Sequence, residues 1–151
     1  MVFIVGSRIY TYGWDFWKLH HPTGARQVAE KTTVSGFTRT GIYNSNGNIP
    51  ASKAIFIGPA PAPDPVAVVS IPGIQLQTVV PPQASHPPND TIVAHGRTID
   101  PEPCNASVSF IRDPLADPIP KRLNLSPEQI DAVRSGTQIL LGVYVSGCGW
   151  Y

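Results

Sequence analysis

The residues of this chain that could do chemistry are two cysteines, four histidines and a few aspartates, and they are scattered along it. Cys148 lies between two glycines, where an exposed thiolate paired with a histidine base would be a nucleophile. Nothing in the spacing places a histidine beside it. No nucleotide-binding loop, zinc-protease helix or nucleophile elbow occurs. We therefore expect a protein that is not an enzyme, and keep a small hydrolase with a dispersed site as the weakest alternative.

The two cysteines, Cys104 and Cys148, have two readings. A disulfide between them would restrict the unfolded chain and stabilise the fold by about 4 kcal/mol on the chain-entropy model. A protein made in the cytosol normally keeps its thiols reduced, which favours two free thiols. The sequence leaves both states open.

Metal and cofactor sites are not expected. His20 and His21 are adjacent, and neighbouring side chains of a strand point to opposite faces, so the two cannot both bind one ion without distortion. Asp100, Asp113 and Asp117 each precede a proline, which is ordinary turn chemistry. We assign no catalytic, cofactor-binding or metal-binding residue.

Aromatic residues crowd near the N-terminus and end the chain. Trp14, Phe16 and Trp17 could stack on sugar rings, which makes a carbohydrate-binding module that uses Trp14, Trp17 or Trp150 a second hypothesis. Clustered aromatics are more common in cores and interfaces. Trp150 and Tyr151 would be costly to leave in water, so we expect them to pack inward or on a partner.

Charge and hydropathy exclude two classes of partner. The 151 residues carry a formal net charge of +1, and the basic residues are dispersed apart from Lys121 and Arg122, so we expect no nucleic-acid partner. The apolar run at residues 2–5 is too short for a signal peptide, and no run approaches the length of a membrane span. We therefore expect neither a secretion signal nor a transmembrane segment.

Short β-branched and aromatic runs separated by turn residues predict a mainly β fold. We expect a single domain over residues 1–151, built as a sandwich or barrel of short antiparallel strands. Turns are predicted at residues 46–47 and 72–73, each joining two strands in a hairpin. The predicted strands cover residues 2–12, 28–34, 37–43, 54–57, 66–71, 74–80, 91–94, 107–112 and 138–145.

One short helix is predicted near residues 127–135. Ser126 can cap it, Pro127 suits its first position, Gln129 completes a capping box and Gly136 can end it. The continuous apolar run that follows, residues 138–145, is typical of a strand buried on both faces. We expect this strand to be central.

Proline is dense over residues 59–88, which we name the proline-rich arm. Proline fixes φ and donates no backbone hydrogen bond, so residues 58–65 should form neither helix nor sheet interior. A polyproline II path advances about 3.1 Å per residue and would carry the chain on the order of 20 Å. We expect the arm and the aromatic ends to contact other chains. The interface candidates are Pro59, Pro61, Pro63, Pro65, Trp14, Trp17, Trp150 and Tyr151.

In general character, β-rich, punctuated by proline and poor in charge, the chain resembles small accessory structural proteins of virus particles, especially of tailed bacteriophages. The resemblance implies a structural subunit of a virion, such as a decoration, collar or tail protein, that assembles in the host cytoplasm. Its partners would be copies of itself and other structural proteins. The resemblance assigns no residue a role.

Overall fold

The computed structural model of the chain describes residues 24–45, 48–84, 90–98, 103–116 and 123–149. Within these ranges the protein is mainly β, with eight antiparallel strands in two sheets and three short helices. The prediction of a mainly β, sandwich-like fold of short antiparallel strands is confirmed. The predicted strand at residues 2–12 and the turn at residues 46–47 lie outside the described residues.

The larger sheet has six strands in the order β2-β3-β8-β7-β6-β5, and each neighbouring pair is antiparallel. Strands β1 and β4 pair to form the smaller sheet. In chain order the elements are α1 Gly24–Lys31, β1 Thr33–Val34, β2 Thr38–Ser45, β3 Ala51–Pro59, α2 Pro65–Val68, β4 Val69–Ser70, β5 Leu76–Ala84, β6 Asp90–Thr98, β7 Cys104–Ile111, α3 Pro127–Ser135 and β8 Gln138–Gly147.

Strand β8 lies inside the larger sheet, between β3 and β7, as its apolar sequence predicts. Leu141 and Val143 are fully buried on one face of the sheet, and Leu140 is 1% exposed on the other. Both faces of β8 are therefore covered where its sequence is most apolar.

Each face of the larger sheet carries its own core. One face, the α1 face, packs against Ala25 and Ala29 of α1 and against Val34 and Val69 of the smaller sheet. The opposite face, the α3 face, packs against α3 and the residues before it. Its core contains Ile55, Ile57, Ile111, Leu123, Val133 and Leu140.

Helix α3 forms where its capping residues predict. The Ser126 hydroxyl accepts a hydrogen bond from Gln129 N at 3.2 Å, and Gln129 Oε1 accepts one from Ser126 N at 2.9 Å. These two bonds satisfy donors at the N-terminus that have no partner within the helix. Gly136 ends α3 in the left-handed conformation, with φ of 83°.

Two helices contradict the sequence predictions. The predicted strand at residues 28–34 is the end of α1 followed by β1. Its β-branched residues favour a strand, but Ala25 and Ala29 lie one turn apart and bury a narrow helical face against the sheet, so packing overrides propensity. Helix α2 begins at Pro65, inside the segment expected to exclude helix. Proline is tolerated at the first helical position, and Asp64 caps the helix by accepting from Val66 N.

The proline-rich arm is not one continuous extended segment. Within its described part, α2 forms at Pro65–Val68, β4 pairs with β1, and β5 pairs with β6. Strands β4 and β5 fall within the strands predicted at residues 66–71 and 74–80 or overlap them. The expectation that residues 58–65 stay out of the sheet interior is wrong for Gly58 and Pro59, which end β3 and pair with β8. The predicted hairpin around residues 72–73 is reduced to one bridge between Ile71 and Ile74, because the strands on either side pair elsewhere.

Candidate functional site

The predicted interface prolines differ in their exposure to solvent. Pro59 and Pro61 are exposed, Pro63 is half-buried and Pro65 is buried. The backbone N–H of Ala60 donates to the Thr137 carbonyl, which holds this loop against the turn before β8. The other predicted interface residues, Trp14, Trp17, Trp150 and Tyr151, lie outside the described residues.

An irregularity in edge strand β5 presents Val80, the most exposed large hydrophobic side chain among the described residues. Thr78 pairs with Ala94 and Gln83 pairs with Ile92, so residues 79–82 stand opposite the single residue between those partners on β6. We name residues 79–82, Val-Val-Pro-Pro, the β5 bulge. Val80 is 83% exposed, and Pro81 and Pro82 are exposed beside it. The bulge therefore presents apolar side chains at the edge of the sheet.

A row of polar and aromatic side chains crosses the whole larger sheet. Its members are direct register partners on successive strands: Tyr43, Lys53, Tyr144, Ser107, His95 and Gln77. Register partners share a face, and Lys53 alternates with Ile55 and Ile57, so this polar row lies on the α3 face. Tyr144 is 38% exposed, and His95 and Gln77 are exposed. The row is the open half of a face whose other half is covered by α3.

A partly buried ion pair joins Lys53 of the polar row to Asp90, the register partner of Ile111 in the apolar half of this face. Lys53 Nζ donates to Asp90 Oδ2 at 2.7 Å, and the side chains retain 13% and 12% exposure. A Cβ at Gly142 would lie 2.7 Å from Lys53 Cε, so the absence of a side chain there lets Lys53 cross β8. The pair links β3 to the start of β6. Sequence reasoning missed it, because 37 residues separate the partners.

The two cysteines are joined. Cys104 opens β7 opposite Gly147, which brings Cys148 beside it with a Cα–Cα distance of 4.2 Å, and the two form a disulfide. Of the two states that the sequence left open, the structure therefore has the paired one, which the cytosolic argument disfavoured. In the bonded form Cys148 offers no thiolate, so the nucleophile considered from the sequence is not present.

The described residues contain no group of three or more His, Cys, Asp and Glu side chains arranged to hold a metal ion. His95 lies in the polar row, whereas His20, His21 and His86 fall outside the described ranges. Among the described helices, none has the length and apolar character needed to cross a membrane.

Comparisons with known proteins give no match: no family model fits the chain, and neither a curated protein nor a solved structure is detectably similar to it.

Proposed function

We propose that the chain is a non-enzymatic structural subunit of a larger assembly and that the β5 bulge contacts a neighbouring chain. The observation that carries this proposal is the 83% exposure of Val80 in an apolar segment at a sheet edge. Full burial of a valine side chain is worth about 1.5 kcal/mol or more, which a neighbour with an apolar pocket would supply.

The prolines of the bulge favour contact through side chains over strand pairing. Pro81 and Pro82 have no backbone N–H, so they cannot donate to an added strand, and residues of this kind protect sheet edges from uncontrolled association. Proline also restricts the free segment, which reduces the conformational entropy lost on docking. Pro59 and Pro61 supply a second exposed apolar surface of the same character.

Among assemblies, we favour a virion of the tailed-bacteriophage type, with this chain as a decoration, collar or tail component. The support is the compositional resemblance given above. The Cys104–Cys148 disulfide is compatible with that location, because disulfides persist on virion surfaces. The partners in this proposal are copies of the chain and other structural proteins of the particle.

The test replaces Val80 by Asp in a tagged chain expressed in its native host. We expect V80D to fold normally, because surface substitutions usually change stability by less than about 0.5 kcal/mol, and to disappear from the particle fraction. Leu115→Asp is the matched control, since Leu115 is 50% exposed and lies outside the bulge. Mass spectrometry of purified particles measures both variants. Equal incorporation of V80D and wild type would refute the role of the bulge, and particles lacking the wild-type chain would refute the assembly role.

A further inference from the structure

The polar row is long and partly open to solvent, since Gln77, His95 and Tyr144 are exposed. Strands lie about 4.8 Å apart, so the row spans roughly 14 Å from His95 on β6 to Lys53 on β3, with Ser107 and Tyr144 between them. A second row on the same face lies two residues further along these strands. It consists of the register partners Arg97, Asn105 and Ser146. Arg97 and Asn105 are exposed and Ser146 is half-buried. A surface of this length fits an extended ligand better than a compact one.

The side chains of the two rows combine an aromatic ring with hydroxyl and amide groups. Tyr144 is 38% exposed. The face of a tyrosine ring can pack on the C–H groups of a sugar, and its hydroxyl adds a polar end. Ser107 and Ser146 supply hydroxyls that both donate and accept, and the amides of Asn105 and Gln77 do the same through separate atoms. Vicinal sugar hydroxyls need this mixture of donors and acceptors.

The charge of the two rows is positive. Among the described residues, Asp90 pairs with Lys53 and neutralises its charge. Arg97 has no ion-pair partner within the described chain. A guanidinium binds a carboxylate through two parallel hydrogen bonds, which makes Arg97 an anchor for one carboxylate. A single unpaired arginine is too little for a nucleic-acid backbone, whose binding requires several phosphate contacts.

From this arrangement we infer that the polar row and its neighbour row bind a carboxylated oligosaccharide, with Tyr144 stacking on a sugar ring and Arg97 pairing with a uronic- or sialic-acid carboxylate. This inference uses none of the tryptophans considered from the sequence. It is also independent of the contact proposed for the β5 bulge, since V80D leaves both rows unchanged.

The experiment uses the full chain on an array of immobilised uronic- and sialic-acid oligosaccharides, each beside its neutral counterpart, with a poly-glutamate peptide included. We expect binding to the carboxylated sugars and at least tenfold weaker binding to the neutral ones, because a charge-assisted hydrogen bond to the carboxylate is lost. Arg97→Gln should remove this preference. Tyr144→Val, which keeps a strand-forming residue, should weaken binding to both sugar classes. Arg112→Gln is the matched control, since Arg112 is exposed and lies beyond the end of β7.

Three outcomes would overturn the inference. The first is the absence of binding to every carboxylated sugar by the wild-type chain. The second is equal binding by wild type and Arg97→Gln, with circular dichroism showing both folded. The third is tighter binding of the poly-glutamate peptide than of any sugar, which would assign the surface to an acidic protein partner.

Discussion

Breaking the Lys53–Asp90 ion pair from one side should destabilise the protein strongly. Removing one partner of a fully buried pair costs about 3–5 kcal/mol, and we expect about 2–3 kcal/mol here because the side chains retain 13% and 12% exposure. Lys53→Met keeps the length of the side chain across Gly142 but leaves the Asp90 carboxylate without its partner. Asp90→Asn keeps the shape and leaves the lysine charge unmatched.

The double variant, Lys53→Met with Asp90→Asn, measures the coupling free energy between the two side chains. Once both charges are gone, no unmatched charge remains, so the two losses should not add, and we expect a coupling free energy of about 1–2 kcal/mol. Urea unfolding followed by far-ultraviolet circular dichroism gives each free energy by linear extrapolation. Glu30→Gln is the control for an exposed pair, since it breaks the Arg26–Glu30 bridge on α1 and should change stability by less than about 0.5 kcal/mol. If the losses from the two single variants simply add, the ion pair does not couple β3 to β6 and the reasoning is wrong.

Three further predictions concern stability, each measured by the same urea unfolding. Cys148→Ser should lower the free energy of unfolding by roughly 2–4 kcal/mol, because the disulfide joins residues 44 apart in sequence. Reductant should lower the free energy of unfolding of the wild type by the same amount, and a wild type insensitive to reductant would contradict this. Leu140→Asp should prevent folding, and Ile130→Asp should cause a smaller loss of stability, since Leu140 is 1% exposed and Ile130 is half-buried. A larger loss of stability from Ile130→Asp than from Leu140→Asp would contradict the described packing of α3. Ser126→Ala should cost about 1 kcal/mol by removing the helix cap, and Ser126→Asn should restore most of it.

Features encoded in neighbouring residues were predictable. The cap, capping box and terminal glycine of α3 lie within eleven residues, from Ser126 to Gly136, and each acts through backbone groups a few positions away. The β2–β3 pairing and the buried strand β8 also follow from local turn chemistry and continuous apolarity. These signals do not depend on what the rest of the chain does.

Features that depend on distant partners were not predictable. The segment 28–34 is rich in β-branched residues, yet its first four residues are helical because Ala25 and Ala29 of α1 pack against the larger sheet. Strand β4 pairs with β1, whose residues lie 36 positions earlier, instead of forming the expected hairpin with the strand beyond residues 72–73. Local propensity contributes tenths of a kcal/mol per residue, so packing on a large sheet decides such cases.

The same contrast between local signals and contacts with distant residues holds for the candidate surfaces. The sequence by itself determined the class of fold, the position of α3 and the presence of exposed proline, because these follow from short-range sterics and hydrogen bonding. Only the tertiary structure brought His95, Ser107, Tyr144 and Lys53 into one row and placed Cys104 beside Cys148. Strand order and register assemble such sets from residues dozens of positions apart, and a one-residue slip in register would turn each strand's side chains to the opposite face.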